Sequence, residues 1–138
     1  MRVKIDRILL RTFVNRAIRR YPNEYGALLY GTTNADKDIK VNEIVNVPSV
    51  SGPGHFWYDR DKIEEERLSG KFLGTIHSHT DTAEAETLPI PSQSDWAGAI
   101  KDDEVIHAIC HIKVPGKKPR TYVAFYLGCP ALLELKRT

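Results

Sequence analysis

The apolar residues near the amino terminus follow a helical period. From Ile5 onward they recur at intervals of three and four residues, at Ile8, Leu9, Phe13, Ala17 and Ile18. Asp6 is placed to cap the start of this helix, and Arg19 and Arg20 favour its negative end. Pro22 should stop it. The pattern therefore predicts an amphipathic helix with one buried face.

After this helix, the apolar residues follow extended spacing. Alternating or continuous apolar runs predict strands at 25–31, 40–47, 56–58, 72–76, 105–113 and 120–127. The last two runs are joined across 115–119, which contains proline and glycine and favours a hairpin. Residues 48–54, rich in serine, proline and glycine, predict a turn.

Two more helices are predicted between and after these strands. Asp59 can cap a charged helix that runs to about Leu68, and Ser92 can open another that passes through Ile100. Residues 80–91 are expected to form a loop. The Gly-Cys-Pro segment at 128–130 should end the sheet, leaving a short tail in which a helix can form.

Composition narrows the class of protein. A chain of 138 residues, 41% hydrophobic and 28% charged, fits one globular domain that buries about two thirds of the surface of its unfolded form. Lys and Arg number 20 against 18 Asp and Glu, too even a balance for a nucleic-acid module. Cys110 and Cys129 lack CxxC spacing, which favours a reducing compartment. Without an uninterrupted apolar stretch near the amino terminus, we expect a soluble, cytoplasmic protein with no membrane partner.

A pair of histidines carries the first chemical signal. His77 and His79 stand two apart after an apolar run, so an extended strand would present both imidazoles on one face. Alone, the pair is more simply two polar residues on a solvent-facing strand. Ser92 and Asp95 lie at a predicted helix start, where a capping box explains them equally well. Glu24, taken alone, is a solvated turn residue.

Taken together, these residues match the ligand set of a catalytic zinc site. Zinc accepts two histidines and one carboxylate and leaves its fourth position to water. His77, His79 and Asp95 would supply that set. Zinc lowers the pKa of a coordinated water towards about 7, but a carboxylate is still needed to take the proton. Glu24 is the candidate.

Three segments of the chain, in order, resemble the signature of the JAMM (MPN+) zinc metalloproteases. They read Glu24-x-Gly26-x-Leu28-x-x-Gly31, Gly74-x-x-His77-Ser78-His79 and Pro91-Ser92-x-x-Asp95. The resemblance covers nearly the whole chain and implies one JAMM/MPN+ domain over 1–138. The implied fold class is α/β, with a mixed, largely antiparallel sheet flanked by helices in a layered architecture like that of cytidine deaminases.

The resemblance also implies the roles of the site residues. In that family the glutamate is general base and acid, the histidines and aspartate hold zinc, and the serine stabilises the tetrahedral intermediate. Carried over, the catalytic residues are Glu24 and Ser92, and the ligands of one Zn²⁺ are His77, His79 and Asp95. Ser78, between the histidines, would be structural.

The implied function is a zinc-dependent peptidase or isopeptidase. Its substrate would be the amide bond at the carboxyl-terminal tail of ubiquitin or a ubiquitin-like protein, with the extended tail pairing at a free strand edge. Many relatives act within larger proteolytic assemblies. Two alternatives stay open. One is a non-catalytic MPN scaffold, and the other is a peptidase that processes a sulfur-carrier protein precursor in a prokaryotic pathway.

The chain departs from the family pattern between its second and third segments. The loop at 80–91 has twelve residues, longer than the family usually has, and Thr80 replaces a common proline. The extra length costs only about 0.5 kcal/mol of closure entropy, so the site can still close. This acidic loop would lie beside the metal and touch substrate or partly cover the cleft.

Several other chemically notable residues have simpler explanations. His107 and His111 share a strand face, but a second metal would lack an obvious third ligand, so we expect surface or interface histidines. Cys110, on the opposite face, should lie in the core. Trp57 and Trp96 are expected to be packing residues, and the aromatic segment 56–58 is a candidate lining of the cleft.

Overall fold

The computed structural model describes residues 2–33, 38–46, 49–52, 55–58, 71–80, 106–113, 119–127 and 131–138. Within them lie one helix, α1 (Arg7–Arg20), and nine strands. The strands are β1 (Arg2–Ile5), β2 (Gly26–Thr33), β3 (Asp38–Val45), β4 (Ser49–Gly52), β5 (His55–Tyr58), β6 (Phe72–Thr80), β7 (Ile106–Lys113), β8 (Arg120–Leu127) and β9 (Ala131–Arg137). The helices predicted from Asp59 and from Ser92, and the loop after Thr80, lie outside the described residues.

The first helix forms as its sequence predicts. The Asp6 carboxylate caps it by accepting hydrogen bonds from the backbone amides of Ile8 and Leu9, at 2.7 and 3.1 Å. It ends at Arg20, before Pro22. Its buried side chains are those of Leu10, Phe13 and Ala17. In the part of the chain that the structure describes, no helix has the length and apolar character to cross a membrane.

Seven strands form one sheet that closes on itself. Their order is β1-β3-β2-β6-β7-β8-β9, and β9 returns to pair with β1. The pairs β1–β3, β1–β9 and β6–β7 are parallel, and the other pairs in this sheet are antiparallel. A mixed, largely antiparallel sheet and the β7–β8 hairpin were both predicted. Since the described residues are mostly strand with one helix, however, the α/β class fits only roughly.

Two predictions of local structure were wrong, and one strand was missed. The turn predicted at 48–54 contains β4, the tail forms β9 where a helix was considered, and residues 2–5 form β1, which was not predicted. Both β1 and β9 are fixed by pairing with strands distant in sequence, because β1 joins β3 on one side and β9 on the other. Such long-range pairing overrides local propensity and is invisible to periodicity within a short window.

The two central strands have opposite faces of different character. Because successive side chains alternate and β6 pairs with β7 in register, one face carries Ile76, Ala108, Cys110 and Ile112. These side chains join the α1 residues in the main hydrophobic core. We call this the core face. The other face, which we call the histidine face, carries Thr75, His77, His79, His107, Ile109 and His111.

Gly31 occupies a place where the backbones of neighbouring strands come close. A Cβ atom there would lie 1.8 Å from the carbonyl oxygen of Lys40, on β3. The pairing of β2 with β3 shifts register between Tyr30 and Gly31, and the Gly31 amide donates to the Lys71 carbonyl at 3.0 Å. Only glycine allows this close approach at the junction of β2, β3 and β6.

Candidate metal centre

Both signature histidines lie within β6 and point to the same side. The Nε2 atoms of His77 and His79 are 3.0 Å apart, and their ring centroids are 4.9 Å apart. Two nitrogen ligands of one tetrahedral zinc, each at about 2.0–2.1 Å, are separated by about 3.3 Å. The two imidazoles are therefore arranged as ligands of a single ion would be.

Glu24 joins this pair from the segment that leads into β2, the strand next to β6. It lies just before β2 and is 6% exposed. One carboxylate oxygen and the two imidazole nitrogens lie within 4.8 Å of one another, close enough to hold a metal ion together. The structure thus brings together three of the five residues singled out in the sequence.

Ser78 fixes the backbone next to Glu24. Its hydroxyl oxygen accepts a hydrogen bond from the Tyr25 amide at 2.8 Å, and its own amide donates to the Tyr25 carbonyl at 2.7 Å. Next to this link, Gly26 pairs with His77 across β2 and β6. These buried contacts hold the glutamate and the histidines in register, which is the structural role that the resemblance implied for Ser78.

The Tyr25 side chain anchors the same segment on the helix side. Its ring packs on Phe13 with centroids 5.3 Å apart, and the Arg20 guanidinium lies 5.5 Å from its centroid. Its hydroxyl donates to the Asn46 side-chain oxygen. Because side chain and backbone are both held, the segment before β2 has little freedom to move Glu24 away from the histidines.

His107 and His111 are buried, so the expectation of surface or interface histidines was wrong. They are 4% and 7% exposed, on a strand that lies between β6 and β8. His107 Nδ1 lies 3.1 Å from the Thr75 hydroxyl, and its ring meets His77 edge to face at 5.0 Å. His111 pairs in register with His79. The signal available in the sequence was that both strands place histidines on one face.

The other predicted site residues divide into two groups. Ser92 and Asp95 lie outside the described residues, so their roles as oxyanion partner and metal ligand stay predictions. Trp96 and the acidic loop residues lie there too, and Trp57 is described only as part of β5. Cys110 is buried in the core, as predicted, and burial raises the pKa of its thiol to about 12.

Comparison with known proteins identifies the family. Residues 6–125 match the family described as prokaryotic homologues of the JAB domain, Prok-JAB. The chain belongs to the Prok-JAB family. No curated protein matches the sequence.

Solved structures share the fold of this Prok-JAB domain. A JAB1/MPN domain protein from Archaeoglobus fulgidus is 23% identical, with a TM-score of 0.59 and 98% of each chain covered. A structure described as a JAMM metalloprotease-like zinc site in the proteasome and signalosome is 22% identical, with a TM-score of 0.58, covering 99% of this chain and 100% of that one. A protein from Desulfitobacterium hafniense is 19% identical, with a TM-score of 0.59, and the match covers 99% of this chain and 94% of that one. These likenesses establish the JAB/MPN fold.

The donor atoms of the Prok-JAB site suit zinc. Imidazole nitrogens and carboxylate oxygens are the ligands that catalytic zinc uses in proteins. His77 is 4% exposed and His79 half-buried, so the donors lie at the boundary between interior and surface. A metal held there would be supported by a rigid sheet on one side and could remain accessible on the other.

Proposed function

We propose that this Prok-JAB domain is a zinc-dependent peptidase or isopeptidase that hydrolyses the amide bond at the carboxyl-terminal tail of ubiquitin or a ubiquitin-like protein. The observation that carries the proposal is the convergence of His77 and His79, with Nε2 atoms 3.0 Å apart, on the buried Glu24 carboxylate. A scaffold has no need to gather two imidazoles and a carboxylate in this way, because burying such groups costs free energy.

In this proposal His77 and His79 hold the ion, and Asp95 completes the ligand set. Zinc, when bound, supplies Lewis acidity that polarises the amide carbonyl and lowers the pKa of water. The neighbouring side chains fix the imidazoles. The His107 ring packs against His77 at 5.0 Å and is itself placed by the Thr75 hydroxyl. Orientation by such neighbours is what keeps metal-binding histidines in a productive geometry.

Glu24 is assigned the proton transfer. Hydrolysis forms a bond between a water oxygen and the amide carbon, breaks the carbon–nitrogen bond and needs one proton at the departing amine. Glu24 would accept that proton from the attacking water and deliver it to the amine nitrogen. Its 6% exposure keeps bulk water from competing for the proton. Ser92 would donate a hydrogen bond to the carbonyl oxygen as negative charge develops there.

The pairing of β6 limits where the substrate tail can add as a strand. At His77 the strand pairs with Gly26 of β2 on one side and with Ile109 of β7 on the other. A tail that reaches the histidines therefore cannot add to an edge of β6 there. We propose that it lies across the histidine face in an extended conformation, with small residues nearest the imidazoles.

The family match supports a second candidate substrate. Because the matched family consists of prokaryotic homologues of the JAB domain, a sulfur-carrier protein precursor of a prokaryotic pathway is an alternative to ubiquitin itself. The chemistry is the same in both cases, since each substrate ends in an extended tail. We propose a cytoplasmic site of action, where a reducing environment would keep Cys110 as a thiol.

Zinc content and tail cleavage, measured on the same preparations, test the proposal. Purified protein should contain one zinc and cleave ubiquitin-like proteins extended beyond their terminal glycine, as read by mass spectrometry. Glu24→Gln should keep the zinc and lose on the order of 10²- to 10⁴-fold in turnover. His77→Ala should lose the zinc as well. Glu43→Gln, which removes an exposed carboxylate on β3, is the matched control and should change neither.

Two results would overturn the proposal. If the wild-type protein takes up no zinc even when it is supplied during purification, the domain is a scaffold. If Glu24→Gln retains full turnover, the proton passes through another group and the assigned role is wrong. Cleavage of a sulfur-carrier precursor but not of ubiquitin fusions would select the second substrate.

A further inference from the structure

The helix α1 carries basic residues and no acidic ones. The chain has 20 Lys and Arg against 18 Asp and Glu. Five of those basic residues are the arginines of α1, which contains no acidic residue. The rest of the chain therefore has 15 basic against 18 acidic residues. Such an uneven distribution creates a positive surface at the helix that attracts anionic partners.

One side of α1 forms the wall of a groove of about 300 Å³. The helix contributes Arg7, Leu10, Arg11 and Val14, which are spaced as one stripe along its surface. Within this stripe the arginines are exposed, Val14 is half-buried and Leu10 reaches the core. The helix wall thus presents two cations above aliphatic side chains.

Strands β8 and β9 form the opposite wall, at a place where they separate. They pair from Phe125 to Leu127, after which β9 turns to β1 and pairs with it from Glu134 to Arg137. The groove opens in the resulting gap and is lined there by Thr121, Val123 and Arg137. Arg137 places a third guanidinium at the rim, across from the two on the helix.

The groove lies on the opposite side of the sheet from the metal centre. Thr121 and Val123 pair with Ile112 and Cys110, whose side chains belong to the core face. The histidine face is separated from the groove by the thickness of the sheet. A ligand in the groove would therefore not touch His77, His79 or Glu24, which makes this a second site.

The rim arginines are exposed to solvent. Arg7, Arg11 and Arg137 are exposed, and none has an ion pair within the described part of the chain, where Arg2 and Lys4 both pair with Asp38. Ile8, next to Arg7, is 70% exposed and is the only large hydrophobic residue so exposed among the described side chains. Arginine beside exposed apolar surface is a combination enriched at protein interfaces.

We propose that this groove binds an acidic segment of a partner polypeptide. Planar guanidinium groups bind carboxylates through two parallel hydrogen bonds, so three of them can hold two or three acidic side chains. The floor of Leu10, Val14 and Val123 then accepts an aliphatic side chain from the same segment. This floor favours a peptide over a nucleic acid, whose phosphates would use the cations and leave the aliphatic surface uncovered.

Fluorescence anisotropy with short labelled peptides tests the proposal on the whole protein. A peptide of alternating glutamate and leucine should bind, and its affinity should fall as salt is raised. The matching peptide of glutamine and leucine should bind at least about tenfold more weakly, because it lacks charge. Oligoglutamate should also bind more weakly than the glutamate–leucine peptide, because it lacks aliphatic groups.

Matched substitutions locate the binding surface. The triple variant Arg7→Gln, Arg11→Gln, Arg137→Gln should weaken binding of the glutamate–leucine peptide about tenfold or more. The control triple, Arg16→Gln, Arg19→Gln, Lys136→Gln, removes the same charge from exposed positions that do not line the groove and should bind nearly as the wild type does.

Val123→Thr tests the floor, because it keeps the shape of the side chain and adds a hydroxyl group. This substitution should weaken binding of the glutamate–leucine peptide several-fold and leave the affinity for oligoglutamate unchanged. Thermal unfolding would check that the variant is folded. An equal loss of peptide affinity in both triple variants would overturn the proposal, because the peptide would then be attracted by the overall positive charge and not by the groove. So would tighter binding of a single-stranded oligonucleotide than of the peptide, or no binding of the peptide at low salt.

Discussion

The two faces of β6 and β7 are both buried but hold very different side chains. On the core face Ile76, Ala108 and Ile112 are fully buried against α1, as hydrophobic burial requires. On the histidine face Thr75, His77 and His107 are just as inaccessible, although burying polar groups is costly unless they are paired. The comparison teaches that the same two strands stabilise the fold on one side and gather candidate metal ligands on the other.

Truncation on the core face should have the largest effect on stability. Ile76→Ala removes a side chain that is fully buried and should lower the free energy of unfolding by roughly 2–5 kcal/mol, measured by urea denaturation. His77→Ala, its neighbour on the other face, should lose zinc but destabilise the metal-free protein by less. If the metal-free variants were equally destabilised, the division between the two faces would be wrong.

Gly31→Ala tests the framework that supports both faces. The added Cβ atom cannot be accommodated 1.8 Å from the Lys40 carbonyl oxygen, so β2 or β3 must shift. We expect a loss of about 1–3 kcal/mol in the free energy of unfolding, from the same denaturation experiment. Gly26→Ala, at the start of the same strand, is a useful comparison. Wild-type stability of Gly31→Ala would show that these backbones do not approach so closely.

Ser78→Ala should affect both the stability of the fold and the candidate metal centre. Ser78 lies between the histidines, and its loss would leave the buried Tyr25 amide without the hydroxyl that accepts its hydrogen bond. The free energy of unfolding should fall by roughly 1–2 kcal/mol. Because Tyr25 adjoins Glu24, turnover should fall while zinc content is kept. Ser78→Thr, which retains a hydroxyl, should restore part of both if its extra methyl group is tolerated.

The smallest effect is expected at Asp38, away from both faces. Lys4, through a hydrogen bond, and then Arg2 hold the pKa of this carboxyl below its usual value of 3.8. Its stabilising contribution is therefore present above pH 3.8 and is lost as the pH falls through the lower pKa of the folded state. Asp38→Asn should slightly lower stability at neutral pH and converge with the wild type in acid, as measured by thermal unfolding across pH. A constant difference at all pH values would contradict this.

Patterns within a short stretch of sequence predicted the features that depend only on residues close together in the chain. Asp6 and the helical period predicted α1, and the spacing of His77 and His79 predicted that both imidazoles share a face. The proximity of Glu24 came from the family resemblance, since no local pattern brings a residue before β2 to β6. Its place in the structure depends on the long-range contacts of Ser78 with Tyr25.

The elements that were missed depend on contacts across the chain. The segment of β9, with leucines and charged residues, has helical propensity, but pairing with β8 and β1 makes it a strand. His107 and His111 look like surface residues in the sequence, whereas in the structure they are buried on β7. The signal that could have identified them is the matching of histidine-bearing faces on two adjacent strands.

The pairing of β9 with β1 has a consequence for how the folded protein behaves at high concentration. An open sheet exposes backbone amides and carbonyls that can recruit strands from other molecules, and a closed one removes that template. Here the closed order leaves a gap between β8 and the end of β9, and side chains of α1 line it. Edge-to-edge association through the described part of the seven-stranded sheet should therefore be confined to this gap unless the β1–β9 pair opens.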